Sequence, residues 1–196
     1  MQILAIRHAP TLWNEEKRLQ GRTDLSLSEK GRARAENWRL RDDWQGCPLY
    51  VSPLKRAKET ALLAFPGRVT IVEPRLIEMD FGSWEGQRLD DARRLDPMTA
   101  AREADGLDFR APLGESPREV QTRLLDLLPE LRRDAIFVTH KAVIRALYSL
   151  ATGWNMLGKQ PHRFEEDCAR LFLWENAKLE LLEANFSLID RDLSTS

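Results

Sequence analysis

Short apolar runs alternate with longer amphipathic segments along this chain, and no other feature narrows the fold as far. Ile3–Ile6 and Ala135–Thr139 read as buried strands, Leu49–Val51 as a short strand and Val69–Val72 as a further one. Ser28–Trp44 reads as a helix rich in Arg, Glu and Ala, with Ser26 or Ser28 as its N-cap and Ser26 and Glu29 at capping-box spacing. Ser52-Pro53 opens a second helix, the serine suiting the cap and the proline the first helical position. Ser116-Pro117-Arg118-Glu119 combines a capping box with proline in the first turn, and Val120, Leu124, Leu127, Leu128 and Leu131 follow at helical spacing. Val143, Ile144, Leu147 and Leu150 form the inward face of a helix after Ala135–Thr139. Ala169–Trp174 and Leu179–Leu182, around Glu175-Asn176-Ala177-Lys178, read as a hairpin. Strand–helix alternation of this kind predicts an α/β fold, a three-layer α/β/α sandwich with a mostly parallel central sheet. We expect one domain over residues 1–196. Gly82, Gly86, Pro97, Gly106, Pro112 and Gly114 make residues 82–115 the least regular stretch, expected as a short cap-like insertion covering a site, with a short helix near Leu89–Leu95.

Composition removes several function classes. Lys and Arg number 30 against 31 Asp and Glu, a formal charge of −1, and nucleic-acid backbones call for a basic excess. The two cysteines, Cys47 and Cys168, are too few for a disulfide framework or a cysteine-based zinc site. No run reaches the ~18–20 apolar residues of a membrane helix. The opening Met-Gln-Ile-Leu-Ala-Ile-Arg-His lacks the basic-then-apolar build of a secretory signal, so a cytoplasmic location is the expectation.

In a mostly parallel sheet, ligands bind beyond the carboxyl ends of the strands. The chain has 3 histidines, and two of them, His8 and His140, directly follow the apolar runs Ile-Leu-Ala-Ile-Arg and Ala-Ile-Phe-Val-Thr. A single histidine is as readily a hydrogen-bonded structural residue as a functional one; two at one sheet edge carry more weight. Arg7 precedes His8, and Arg56 lies in the first turn of the helix after Ser52-Pro53, beside the apolar face of Leu54, Ala57 and Ala61. A guanidinium at a buried edge needs an anionic partner, and its fork matches phosphate or carboxylate oxygens. Two histidines and two arginines suit a phosphoryl group better than a metal ion, which the arginines would repel.

These residues, in order, resemble the histidine phosphatase superfamily, the phosphoglycerate-mutase-like proteins. The similarity runs through Arg7-His8 with Thr11 and Trp13-Asn14, then Gly21, Asp24-Leu25, Leu27 and Lys30-Gly31, then Ser52-Pro53-Leu54-Lys55-Arg56-Ala57 with Thr60-Ala61. It continues through Leu76-Ile77-Glu78, Gly82, Trp84-Glu85-Gly86, Gly114-Glu115-Ser116 and Val138-Thr139-His140. The resemblance implies that His8 attacks phosphorus to give a phosphohistidine, that Arg7, Arg56 and His140 hold the phosphoryl oxygens with help from Asn14, and that Glu78 protonates the leaving alcohol. Asp80 is the runner-up acid. Gln20 and Gly21 fall where phosphate contacts are expected, and Thr11 is either a substrate contact or structural. His162 reads as a surface residue; Trp13 and Trp84 either flank the pocket or belong to the core. No metal and no cofactor is implied, and the implied partner is a small-molecule phosphate ester, not nucleic acid or membrane. Oligomeric state is silent in the sequence.

The chain departs from the pattern twice. Ala9-Pro10 follows the first histidine in place of the usual glycine, so the loop must tolerate a Cβ there. Lys141-Ala142 follows the second in place of glycines, and Lys141 either points to solvent or adds a cation at the pocket rim. The insertion is shorter than in classical glycolytic mutases of the family, which favours a phosphatase. The stretch Leu76–Gly86 and the closing strands are similar to α-ribazole phosphatase-like and broad-specificity members, which implies a small phosphomonoester as substrate. The alternatives are a mutase of the phosphoglycerate type and a phosphoester-binding protein without turnover.

Overall fold

The computed structural model describes residues 1–95, 98 and 104–189. Part of the expected insertion, including Pro97, therefore lies outside the described residues. The strands are β1 (Gln2–Arg7), β2 (Leu49–Val51), β3 (Thr70–Val72), β4 (Ala135–Thr139), β5 (Cys168–Glu175) and β6 (Lys178–Ser187). The helices are α1 (Leu12–Glu15), α2 (Glu29–Glu36), α3 (Lys55–Ala64), α4 (Leu89–Leu95), α5 (Pro117–Leu127) and α6 (Lys141–Thr152). The strands form one sheet in the order β3-β2-β4-β1-β5-β6, parallel from β3 to β1 and antiparallel from β1 to β6.

Burial explains why the central strands read as unbroken apolar runs. Ile3 and Ala5 of β1 and Ala135 and Phe137 of β4 face one side of the sheet; Leu4, Ile6, Ile136 and Val138 face the other, and all are fully buried. A strand covered on both faces needs an apolar residue at every position. Ala35 of α2 and Ala57 and Ala61 of α3 cover one face, while Val120 and Leu124 of α5 and Val143 and Leu147 of α6 cover the other. The result is the expected α/β/α layering. Truncating core side chains of this kind typically costs about 2–5 kcal/mol, so the sheet is a firm frame for whatever its edge carries.

Register delivers the edge. Arg7 lies opposite Thr139 in the parallel β1–β4 pair, so His8 and His140 each emerge one residue later, and the His8 amide donates to the Thr139 carbonyl at 2.8 Å. Val51 of β2 lies opposite Val138, and the Ser52 amide donates to the Val138 carbonyl at 3.0 Å. Three neighbouring strands thus end together.

Several local expectations change. The helix expected over Ser28–Trp44 stops at Glu36, because tertiary partners claim the residues beyond it: the Trp38 indole N–H donates to Asp167 at 2.7 Å and the Arg39 amide to Leu188 O at 2.7 Å. Its cap is Ser28, whose hydroxyl accepts from the Gly31 amide at 3.1 Å; the alternative with Ser26 does not form. Gly31 is needed there, since a Cβ would overlap the Pro10 carbonyl on the loop after His8. The second helix begins at Lys55 with Leu54 at its cap and no side-chain capping bond, so Ser52 is released for another task. The strand expected at Val69–Val72 runs over Thr70–Val72 at the exposed sheet edge. The capping box of Ser116 and Glu119 forms as expected. The closing hairpin is longer than expected and turns on Asn176 and Ala177, both with positive φ, as a two-residue I′ turn requires.

Candidate active site

His8 and His140 stand with ring centroids 5.2 Å apart at the carboxyl ends of β1 and β4. His8 Nδ1 lies 2.7 Å from the Ala9 carbonyl oxygen, which can only accept, so Nδ1 carries the proton and Nε2 keeps its lone pair. Ala9 lies outside the left-handed region, so the missing glycine is absorbed without strain, and its amide donates to Thr60 Oγ1 at 3.0 Å.

Arg56 is fully buried, and its guanidinium is held from three sides. Nε donates to His140 Nδ1 at 3.2 Å, Nη1 to Thr23 O at 2.8 Å and Nη2 to Gly21 O at 2.7 Å. Because an arginine N–H only donates, His140 Nδ1 must be bare and Nε2 protonated; Nε2 then donates to Ser52 Oγ at 2.6 Å. Both ring nitrogens of His140 are therefore engaged within the protein in this arrangement. Gly21, with φ of +52°, presents its carbonyl to Arg56 from a left-handed turn where a Cβ would overlap the Glu85 carboxylate. Arg7 lies on the same cavity wall with its Nε buried and without a partner.

Glu78 is buried on that wall, accepting from the Met79 amide at 2.9 Å and from the Ala142 amide, in the first turn of α6, at 3.4 Å. Burial pushes its carboxyl above the usual range, against the opposing pull of the Met79 amide and the Arg56 and Arg7 charges. Burial likewise holds the His8 imidazole well below the histidine range, with Arg7 and Arg56 adding to the effect. His140 is depressed in the same way by burial, then by His8 and Arg56. The cavity these groups face has a volume of about 1120 Å³. Among the described residues, no group of three His, Cys, Asp or Glu side chains is placed to hold a metal ion.

The neutral imidazoles predict a pH-dependent stability. Below an unfolded pKa of ~6.5 the unfolded chain binds protons that the folded chain refuses, so this contribution is full above that pH and is lost as pH falls beneath it. Glu78, raised in the folded chain, acts in the opposite sense, so the clean comparison is with His8→Asn. Wild type should lose up to about 1.4 kcal/mol more than His8→Asn per pH unit below ~6.5 in denaturant or thermal melts. A difference that stays constant with pH would contradict a neutral His8.

The sequence model of the histidine phosphatase superfamily, branch 1, matches residues 3–186. The chain belongs to this superfamily. It is 33% identical over 164 residues to the probable phosphoglycerate mutase GpmB of Cronobacter sakazakii, covering 78% of this chain and 75% of that one. It is 33% identical over 171 residues to the metal-independent phosphoserine phosphatase of Arabidopsis thaliana, covering 81% and 71%. Among solved structures, the mycobacterial glucosyl-3-phosphoglycerate phosphatase superposes with a TM-score of 0.80 at 25% identity, covering 95% of this chain and 99% of that one. The histidine phosphatase superfamily contains phosphatases and mutases, and an enzyme of that chemistry is what the match supports.

Other expected site residues of this histidine phosphatase chain take distinct places. Asn14 lies on the cavity wall, and its Oδ1 accepts from the Thr11 amide at 3.0 Å and the Thr11 hydroxyl at 3.2 Å. Thr11 is fully buried, caps α1 and does not reach the wall, which is the structural alternative for it. Gln20 reaches the wall, and its Oε1 is buried without a partner. Lys141 also lies on the wall, at an exposed rim. Asp80, the runner-up acid, is off the wall: it accepts from the Gly82 amide at 2.7 Å and pairs with Arg22 at 3.6 Å. His162 is exposed, with Nδ1 2.7 Å from the Tyr148 hydroxyl. Trp84 is buried in a small cluster with Ala92 and Ala111, whereas Trp13 is half-buried against Gly86.

Two positioning residues of this histidine phosphatase chain escape sequence reasoning. Ser52 reads as a helix cap, yet its hydroxyl accepts the Nε2–H of His140 at 2.6 Å, in the tautomer that Arg56 imposes. Glu85 accepts from the Arg22 amide at 2.7 Å, the Thr23 amide at 2.9 Å and the Thr23 hydroxyl at 2.5 Å, and so pins the loop whose carbonyls aim Arg56. The Trp84-Glu85-Gly86 motif is the one signal in the sequence that points to it.

Proposed function

We propose that the chain is a metal-independent phosphomonoesterase that works through a phosphohistidine on His8. The carrying observation is the His8 tautomer: Nδ1–H held by the Ala9 carbonyl leaves the Nε2 lone pair beside a cationic cup. Nε2 attacks phosphorus as the bond to the leaving oxygen breaks, and the Glu78 carboxyl gives its proton to that oxygen. Water then attacks the phosphohistidine and passes a proton to the Glu78 carboxylate, which returns His8 and Glu78 to their starting states and releases inorganic phosphate. Arg7 and Arg56 stabilise the charge on the phosphoryl oxygens in both steps. Asn14 and Gln20 complete the cup from the wall, and Gly21 serves by orienting Arg56. His140 holds Arg56 in the resting arrangement, and it donates to a phosphoryl oxygen by giving up its bond to Ser52. The described part of 82–115 contributes Trp84, Leu89 and Phe109 to the cavity wall and is proposed as its cover.

The similarity to a protein named as a phosphoglycerate mutase supports a second reading, phosphoryl transfer between positions of a bound acid. Both are tested with phosphoserine, p-nitrophenyl phosphate and 3-phosphoglycerate, with and without 2,3-bisphosphoglycerate and EDTA. The expected result is release of inorganic phosphate from the esters, indifferent to EDTA. Isomerisation of 3-phosphoglycerate that requires the bisphosphate, with little phosphate released, would overturn the phosphatase reading.

A further inference from the structure

Beyond the phosphoryl cup, the cavity wall carries positive charge that the reaction above leaves unmatched. Lys141 and Arg145 lie four residues apart on α6, a spacing that puts them on one helical face, and both line the cavity with Arg7, His8 and Glu78. Neither has an acidic partner among the described residues. By contrast, Arg34 on the same wall pairs with Asp167 at 2.5 Å and Glu166 at 3.1 Å.

Arg145 is half-buried, with its Nε buried and without a partner, and its guanidinium carbon lies 4.9 Å from the centre of the Trp154 ring. The stacking fixes the arm, so little freedom is lost when the fork meets an anion. Lys141 is exposed at the rim, yet the loss of hydration on the wall lowers its ammonium, and the charges of Arg7 and Arg145 lower it further. The carboxylate that opposes all three is Glu78, with Glu166 acting on Arg7 as well, and burial drives Glu78 towards its neutral form. A phosphoryl group held by Arg7 and Arg56 brings a charge of about −2, which those two guanidiniums already match, so Lys141 and Arg145 face no further anion of the reaction.

We propose that Lys141 and Arg145 form a second anion subsite, which selects phosphate esters whose alcohol part carries another oxyanion, a carboxylate or a second phosphoryl group. This rests on the phosphatase reading and narrows its substrate class. The lysine, standing where the superfamily pattern has glycine, sits one residue beyond His140, so the two anions belong to a short substrate.

Three esters on one three-carbon skeleton test it: glycerol 3-phosphate with no second anion, 3-phosphoglycerate with a carboxylate, and glycerol 1,3-bisphosphate with a phosphoryl group. The expected result is a kcat/KM for at least one of the doubly anionic esters tenfold or more above glycerol 3-phosphate, an advantage that shrinks with added salt. Lys141→Ala and Arg145→Gln should each cut that ratio several-fold, through KM, and whichever ester keeps the advantage identifies the anion. A wild-type ratio near one, or variants that leave the ratio intact, would overturn the subsite. Dissociation constants of the three esters measured by calorimetry on His8→Ala give the same ratio without turnover. Failure of all hydrolysis would therefore sink the phosphatase reading while the subsite is still judged on binding.

Discussion

Replacement of His8 by alanine is expected to lower kcat for every phosphate ester by on the order of 10⁴-fold or more, with the fold retained. Removing a nucleophile leaves only what the surrounding charges contribute, and measured losses for such residues fall in this range. The fold should survive because β1 and β4 are joined through the His8 backbone amide, which alanine keeps. The lost side chain makes a single neutral hydrogen bond, to Ala9, and such bonds are worth about 1 kcal/mol. Steady-state kinetics together with circular-dichroism melting checks both halves of the expectation. A variant that stays folded and keeps wild-type turnover would remove His8 from its proposed role.

Glu78→Gln should divide substrates by leaving group. Alkyl phosphates such as phosphoserine are expected to slow by roughly 10²–10⁴-fold, the usual contribution of a general acid, and p-nitrophenyl phosphate by less than about tenfold, because its anion departs without a proton. The amide is a fair isostere here. Its oxygen can accept from the Met79 amide at 2.9 Å, leaving the NH₂ towards the longer 3.4 Å contact with Ala142, so the strain falls on the weaker bond. The pH profile separates acid catalysis from a structural effect. The Glu78 carboxyl acts when protonated and its pKa is raised, so wild-type turnover of alkyl esters should decline as pH rises through that elevated value. The acid limb, set by His8, should lie well below pH ~6.5 because burial and the arginines depress that imidazole. In Glu78→Gln the alkaline decline should disappear. Equal losses on both esters would show that Glu78 does not protonate the leaving group.

Much of this arrangement could be read from the chain because parallel strands deliver the residues after them to one edge. Arg7-His8 and Thr139-His140 end fully buried apolar runs, and the register of β1 on β4 makes them neighbours. Arg56 was legible for a related reason, since a helix leaving β2 must begin at that edge. Partners distant in sequence were not. Nothing near Trp38 announces that Asp167 will accept a hydrogen bond from its indole N–H and that α2 will end early. Ser52 precedes a proline and so looks like a cap; only the juxtaposition of β2 and β4 shows its hydroxyl to be the acceptor of His140. Arg145 looks like any helical surface charge until its buried, unpartnered Nε is seen on the cavity wall. Thr11 fails in the opposite direction, because its polar side chain is consumed by the Asn14 capping box.

The account depends most on a covalent phosphoryl group at one nitrogen. Quenching the enzyme in alkaline denaturant during turnover, then mapping its peptides by mass, reads this directly. The predicted result is one phosphoryl group on the peptide containing His8, released by brief acid treatment and absent from His8→Ala. A phosphoryl group mapped to any other residue, or sustained turnover at saturating ester with none on the chain, would contradict it.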